Sequence, residues 1–348
     1  MDSLTQACLG AAVAGVVMPR LGRRALLLGA ALGSLPDLDV AIDYGDAVAD
    51  YTRHRGFSHS LLVLTALATL LAGLASRWRR SREIASFTHW WWLFALCLLT
   101  HPLLDAFTTY GTQLLWPLPL PPVSWHSLFI IDPAYTLPLL IGVIVFAIRP
   151  RRRPLSIALG LSCAYIGFSL GAQAFVESRV KSALAARGLA QAPMLVQPAP
   201  LTTLLWRVTV IDQGQALEGW VGLLDGDAPV TLNSWPLGDN TWRQAALATA
   251  DGQRLAWFSG PFLRYDVITS DAQPHLTATD LRLGIPGLHP FVFTLAARDA
   301  TGNWHPVPSV RESQGRPERA LLERLLARVV DTSVEPVLPP RDMADGPG

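Results

Sequence analysis

Two histidines five residues apart, His54 and His59, stand in the run His54-Arg55-Gly56-Phe57-Ser58-His59-Ser60. Pro36-Asp37-Leu38-Asp39 lies upstream, and His101-Pro102-Leu103-Leu104-Asp105 lies downstream. Imidazole nitrogens and carboxylate oxygens are donors that zinc and similar divalent ions accept. His101 and Asp105 are four apart, so on a helix they share a face at about 6 Å, which suits two ligands of one ion or a ligand with the carboxylate that orients it. Pro102 disfavours helical geometry at His101 and predicts a kink or a restarted helix there. Asp37 and Asp39 share a face only if their stretch is extended; the alternative for Asp39 is a helix cap. The expected metal set is therefore His54, His59, His101, Asp105, Asp37 and Asp39, with zinc as the expected divalent ion. Asp37 or Asp39, where it does not bind the ion, is the expected general base. Arg55 is expected to steady developing negative charge through its bidentate fork. No Gly-x-Ser-x-Gly turn surrounds Ser58 or Ser60, so these hydroxyls are expected to hydrogen-bond to ligands rather than attack.

The elements that must position these groups are apolar. The 348 residues are half hydrophobic and only 16% charged, against about 25% in an ordinary soluble chain. The deficit lies in the first half, with apolar segments at residues 1–17, 25–35, 60–76, 90–107, 134–148 and 155–176. The first two fall short of the roughly 20 residues of a full span, so tilted spans, a re-entrant pair or a buried hairpin are the alternatives for them. Small residues from 7 to 17, Gly10 and Ala14 among them, predict a closely packing helix. No basic residue precedes the first apolar run, so a cleaved signal peptide is not expected. Trp90, Trp91 and Trp92 read as an interfacial aromatic belt. Arginine clusters at 20–24, 77–82 and 149–153 are separated by two apolar segments each, which puts all three on one side. Positive loops stay cytoplasmic, so every chemical group above falls on the other face. The predicted fold class is membrane α-helical: a polytopic helical domain with a C-terminal β-rich extramembrane domain, with the site and the C-terminal domain extracytoplasmic. Ionisable groups in such a setting are costly and point to function.

Composition changes near residue 177. A polar helix at 177–189 leads to a Pro-rich linker at 192–200. Residues 204–211, 217–224 and 291–297 read as antiparallel strands, divided by turn signals at Asp225-Gly226, Asp251-Gly252 and Thr301-Gly302-Asn303. Residues 317–330 predict a terminal helix. The expected organisation is a membrane domain over 1–176, a helix and linker over 177–200, a β-rich domain over 201–335 and a disordered tail over 336–348. The net charge of +1 argues against general attraction to nucleic acid. Cys8, Cys97 and Cys163 have no paired spacing and read as core residues. His89 falls on the arginine side, and His275, His289 and His305 read as surface or loop residues. His126 is a weaker candidate on the correct face.

The opening MDSLTQACLGAAVAG, then PDLD, HRGFSHS and HPLLDAFTTYGT, resemble the YdjM-type family of inner-membrane metal-dependent hydrolases, also described as LexA-binding. The resemblance covers residues 1–176. It implies phosphoester hydrolysis by clustered His and Asp, by remote similarity to zinc-dependent phospholipases C and single-strand-specific zinc nucleases. Carried over, it puts His59, His101 and Asp105 first as ligands, then His54, Asp37 and Asp39. Many members carry His where this chain has Gln6, so the resemblance implies no ligand there. Expected partners are membrane lipids and a phosphoester or phospholipid substrate. Two other readings stand beside this one. His101 and Asp105 also fit a metal-independent lipid phosphatase with a phospho-histidine intermediate, although its Pro-Ser-Gly-His motif is missing. The other is a non-enzymatic membrane scaffold.

Overall fold

A computed structural model describes residues 1–270, 273–313 and 319–336. Residues 337–348, most of the tail expected to be disordered, lie outside the described residues. The chain forms two compact units, one of residues 1–43 and 53–171, the other of residues 44–52 and 172–348.

The helices are α1 (Ser3–Val17), α2 (Arg23–Ser34), α3 (Ala47–Arg53), α4 (Leu61–Arg77), α5 (Arg79–Ile84), α6 (Phe87–Asp105), α7 (Pro133–Ile148) and α8 (Arg152–Ala186). Short 3-10 turns occupy Pro36–Ala41 and Phe57–His59. In the first unit α1 is central: from Thr5 to Gly15 nearly every side chain is buried, the pattern of a helix surrounded by others. It lies against α2 at backbone distance. A Cβ added to Gly29 would sit 2.2 Å from the Gly10 carbonyl oxygen, and one added to Gly33 would sit 2.5 Å from that of Gln6. Side-chain caps start the helices where the sequence offers them. Asp2 accepts from the Leu4 and Thr5 amides, Ser60 from Val63, and Asp132 from Ala134 and Tyr135.

The expectation of a polytopic membrane domain does not hold. Among the described residues one helix, Arg152–Ala186, is long and apolar enough to cross a membrane, or two if the bent pair Ala47–His59 and Leu61–Arg77 is one span. The reason is length and, for the 19-residue α6, the polar residues His89, His101 and Asp105 within it. Helices α1, α2, α4, α6 and α7 hold 15, 12, 17, 19 and 16 residues. At 1.5 Å per residue they reach about 18–29 Å, against a hydrocarbon core of about 30 Å. The longest of these, α6, also ends on buried His101 and Asp105. Much of the apolar composition is used inside this unit, where α1, α2, α4, α6 and α7 share one hydrophobic core.

The second unit holds two four-stranded antiparallel sheets, each paired in sequence order. The first comprises β1 (Met194–Pro198), β2 (Leu205–Asp212), β3 (Gln215–Gly222) and β4 (Asn233–Pro236); the second comprises β5 (Leu263–Ser270), β6 (Gln273–Asp280), β7 (Val292–Arg298) and β8 (Trp304–Arg311). Helices α9 (Asn240–Leu247) and α10 (Ala250–Ser259) connect the sheets, and α11 (Arg319–Arg328) follows. The residues read as linker contain β1, the expected separate polar helix is the continuation of α8, and the Asp251-Gly252 turn signal lies inside α10. At β1 the pairing with β2 outweighs the local Pro signal. Segment 44–52 packs within this unit. Tyr51 donates to Asp280 Oδ2 at 2.9 Å and packs against Phe258, Phe291 and Phe293. Asp280 also accepts from Arg282 and Ser259, so a fully buried carboxylate is satisfied from three directions.

The α1–α2 contact is the most constrained packing in the first unit. Gly29→Ala is expected to destabilise the protein by about 1–3 kcal/mol, since neither backbone can yield to the added methyl. Gly73→Ala in α4, where nothing lies within 4 Å of the added Cβ, is expected to gain about 0.5–1 kcal/mol from lost backbone entropy in the unfolded chain. Thermal unfolding of both variants measures this. Equal behaviour would contradict the close packing.

Candidate metal centre

Five segments converge at one end of the first unit: the start of α1, the end of α2, the Pro36–Ala41 turn, the Phe57–His59 turn and the end of α6. Asp37, His59, His101 and Asp105 there each offer one donor atom, all within 4.8 Å of one another. His59 Nε2 is 3.1 Å from His101 Nε2, 3.5 Å from Asp37 Oδ1 and 3.2 Å from Asp105 Oδ2. His101 Nε2 is 3.3 Å from Asp37 Oδ1 and 3.4 Å from Asp105 Oδ2. Bonds of about 2.0–2.1 Å from one tetrahedral ion would separate its ligand atoms by about 3.3–3.4 Å. Five of the six edges of such a tetrahedron are therefore present. Asp105 Oδ2 is fully buried without a hydrogen-bond partner, as an oxygen aimed at a cation would be. The side chains of His59, His101 and Asp105 are buried, while Asp37 is partly open at 21%.

Three of the four donor groups are held from behind. His101 Nδ1 donates to the Gly33 carbonyl at 2.5 Å, which leaves Nε2 for the centre. That carbonyl is in reach because α1 and α2 are close and α2 ends there. Helix α6 runs on through Pro102 to Asp105, so the i, i+4 pair meets on one face. His59 Nδ1 contacts Ser58 Oγ at 2.9 Å. Asp105 Oδ1 accepts from Gln6 Nε2 at 3.0 Å and from the Met1 amino group. Partners of this kind fix ring orientation and tautomer in metal sites. The role of Gln6 was missed by sequence reasoning; its only signal was a departure from a family pattern.

His54 and Asp39 lie outside the four-donor group and engage each other. His54 Nδ1 is 2.8 Å from Asp39 Oδ1, while Asp39 Oδ2 accepts from the Arg55 amide at 3.0 Å and from Ser58 Oγ at 2.5 Å. Arg55 sits at φ 61°, outside the usual range for a residue with a Cβ. Its amide bond to Asp39 and the Gln113 amide donating to its carbonyl at 3.0 Å hold it there. The Arg55 guanidinium is 3.3 Å from Asp105 Oδ2, donates to Thr108 Oγ1 and covers the Tyr110 ring at 5.0 Å. Of the two hydroxyls expected to hydrogen-bond to ligands, Ser58 does. Ser60 instead caps α4 and donates to the Trp116 carbonyl. His89 and His126 pair locally with Ser86 and Ser124. His289, expected at the surface, is buried in the second unit; burial and the nearby Arg207 push its imidazole down to about 3.

The electrostatics are those of a cation site. Burial alone would raise the carboxyl of Asp105, but Arg55 and the Met1 amine outweigh it and hold the group well below the usual carboxylate range. Burial likewise opposes ionisation of Asp37, and the two imidazoles prevail. Asp39 is lowered against burial by His54 and Ser58. Burial would lower His101, yet the carboxylates of Asp105 and Asp37 lift it to about 9. Without a metal, the centre therefore keeps a proton where an ion would sit.

A model of the family described as YdjM inner membrane protein matches residues 1–176. The chain is 35% identical over 113 residues to Inner membrane protein YbcI of Escherichia coli (strain K12), covering 32% of this chain and 61% of that protein. It is 23% identical over 305 residues to Uncharacterized protein YfhP of Bacillus subtilis (strain 168), covering 84% of this chain and 90% of that protein. No solved structure matches the chain.

The raised His101 sets a pH dependence. Below about 9 a metal must displace the ring proton, so affinity is expected to rise with pH by roughly tenfold per unit while one proton is released. Titration calorimetry at pH 7, in buffers of different ionisation enthalpy, should count about one proton lost per ion bound. Proton-neutral binding would refute this assignment of the site.

Proposed function

This chain belongs to the YdjM inner membrane protein family, and from that premise and the four-donor cage we propose a membrane-bound, metal-dependent hydrolase of phosphoesters. What carries the reading is the set of five near-tetrahedral distances among Asp37, His59, His101 and Asp105. Two imidazoles with two carboxylates suit zinc. Such an ion, when bound, supplies Lewis acidity and lowers the pKa of a coordinated water to near 7. The rest is the work of the chain. Gly33, Gln6 and Ser58 keep the donors aimed at one point. Arg55 keeps a positive charge beside Asp105 for an anionic ester.

Asp39 has both oxygens engaged, so it positions His54 instead of acting as the base. His54, a quarter exposed with its Nδ1 on Asp39, is the group placed to take or deliver a proton at its other nitrogen. In orientation, we propose that the start of α8 faces the cytoplasm. Arg149, Arg151, Arg152 and Arg153 flank it, α8 is among the described residues the one helix that is by itself long and apolar enough to span, and positive flanks stay inside.

His59→Ala and His101→Ala are each expected to lower bound zinc by at least tenfold in folded protein, while His89→Ala leaves it unchanged. Phosphoester turnover is expected to vanish with chelator and return with zinc. Chelator-resistant turnover, or full metal content in the double variant, would overturn the reading. Orientation is read separately. In a background without native cysteines, Lys181→Cys near the end of α8 is expected to react with an impermeant thiol reagent added outside cells, and Arg152→Cys at its start only after lysis. The reverse pattern would refute the orientation and leave the metal centre untouched.

A further inference from the structure

The polar groups of the centre stand on either side of a segment that belongs to the other unit. Asp37 and Asp39 precede it and His54, Arg55 and His59 follow it, all in the first unit, while residues 44–52 belong to the second. The chain leaves the first unit after Asp43, is built into the second, and returns at Arg53. What is built in is most of α3, and it is held along its length. The buried Ser309 hydroxyl of β8 accepts from the Val48 amide at 3.0 Å and donates to Asp46 Oδ1 at 2.7 Å, and that same oxygen accepts from the Ala49 amide at 2.8 Å. One turn on, the Tyr51 hydroxyl donates to Asp280, and its ring lies among Phe258, Phe291 and Phe293. Thr52 is fully buried, and its hydroxyl oxygen accepts from Arg254 Nε of α10.

The connection from these anchors to the centre is short and stiff. The helix that carries Val48, Tyr51 and Thr52 ends at Arg53, the residue before His54. A chain advances at most about 3.6 Å per residue, which keeps the His54 and Arg55 backbones within about 11 and 14 Å of that of Tyr51. On the other side of the segment stands Asp39, whose carboxylate accepts from the Arg55 amide and from Ser58 and faces His54 Nδ1. The loop from Asp39 to His54 is thus closed at its base within the first unit and fixed at its middle within the second. On the metal-centre reading alone, and independently of hydrolysis, we propose that Tyr51 and Ser309 are positioning residues for that centre. By fixing α3 they hold His54, Arg55 and Ser58 on Asp39, and through Ser58 they hold the His59 ring in the orientation that receives the ion. The C-terminal unit thereby has a task at the site. Linkage is reciprocal, so the ion tightens the second unit around α3 by as much free energy as α3 adds to the hold on the ion.

The test needs no turnover. Full-length protein is followed by hydrogen exchange read on peptides, and its zinc affinity by competition with a chromophoric chelator. Without metal, Tyr51→Leu and Ser309→Ala are each expected to speed exchange over residues 54–60. Each is also expected to weaken zinc binding by about fivefold or more, the lower end of the coupling between linked sites. Val208→Ala, which lightens the core that β2 shares with α8, is expected to change neither in folded protein. Ser309→Ala alone carries the test if Tyr51→Leu fails to fold. In the unaltered protein, zinc is expected to slow exchange over residues 46–52 as well as over 54–60. Unchanged zinc affinity in the Tyr51 and Ser309 variants, or an equal loss in Val208→Ala, would overturn the proposal. If the unaltered protein binds no zinc while both variants still loosen residues 54–60, the metal-centre reading falls and the hold of α3 on that segment stands.

Discussion

Asp105 is a carboxylate with no exposure at the end of an apolar helix bundle. Removing such a charge from water costs several kcal/mol unless positive charge and donors surround it. Much of this end of the bundle answers that cost. Arg55 is bent into a positive-φ conformation to reach it, Gln6 on α1 donates to it, and His59 and His101 turn Nε2 towards it. The arrangement balances one carboxylate, but Asp37 brings a second to the same point. Two carboxylates and two imidazole nitrogens confined within 4.8 Å are best reconciled by a cation at their centre.

The bundle delivers that geometry through backbone packing. Helices α1 and α2 approach at Gly10, Gly29 and Gly33, and that approach places the Gly33 carbonyl against His101 Nδ1 and the Gln6 amide against Asp105. A stripe of small residues thereby sets the tautomer of His101 on another helix. This link runs from sequence through packing to chemistry, and it explains why the helices holding the site are close-packed and short.

The second unit is organised by its own buried charges. Asp280 with Arg282, and Glu218 with Arg207, are ion pairs inside or beside the sheets. Such pairs contribute little net stability but penalise alternative arrangements in which either partner is left alone. Tyr51 joins the first pair from a segment more than two hundred residues away in sequence. Residues 44–52 thus belong to the core of this unit, although in the chain they lie between Asp39 and His54.

What the sequence determined alone was local. The spacing of His101 and Asp105 puts both on one helix face whatever surrounds them, and a hydroxyl beside a histidine predicts the contact between Ser58 and His59. The arginine clusters and apolar segments marked out the helices of the first unit, and alternating β-branched and aromatic residues marked three of the eight strands. Tertiary structure decided the rest. His54 and His59 are alike in type and share one motif, but only the 3-10 turn at Phe57–His59 aims one at the centre and leaves the other against Asp39. Asp37 and Asp39 divide in the same way, because a 3-10 turn points side chains two apart in different directions where a strand would align them. Hydropathy could not separate side chains that pack on other helices from side chains that face lipid, since both environments select the same residues. Hence short packed helices such as α7 read as membrane-crossing segments. The contacts of Gln6 with Asp105 and of the Gly33 carbonyl with His101 join segments far apart in the chain, and no local spacing encodes those.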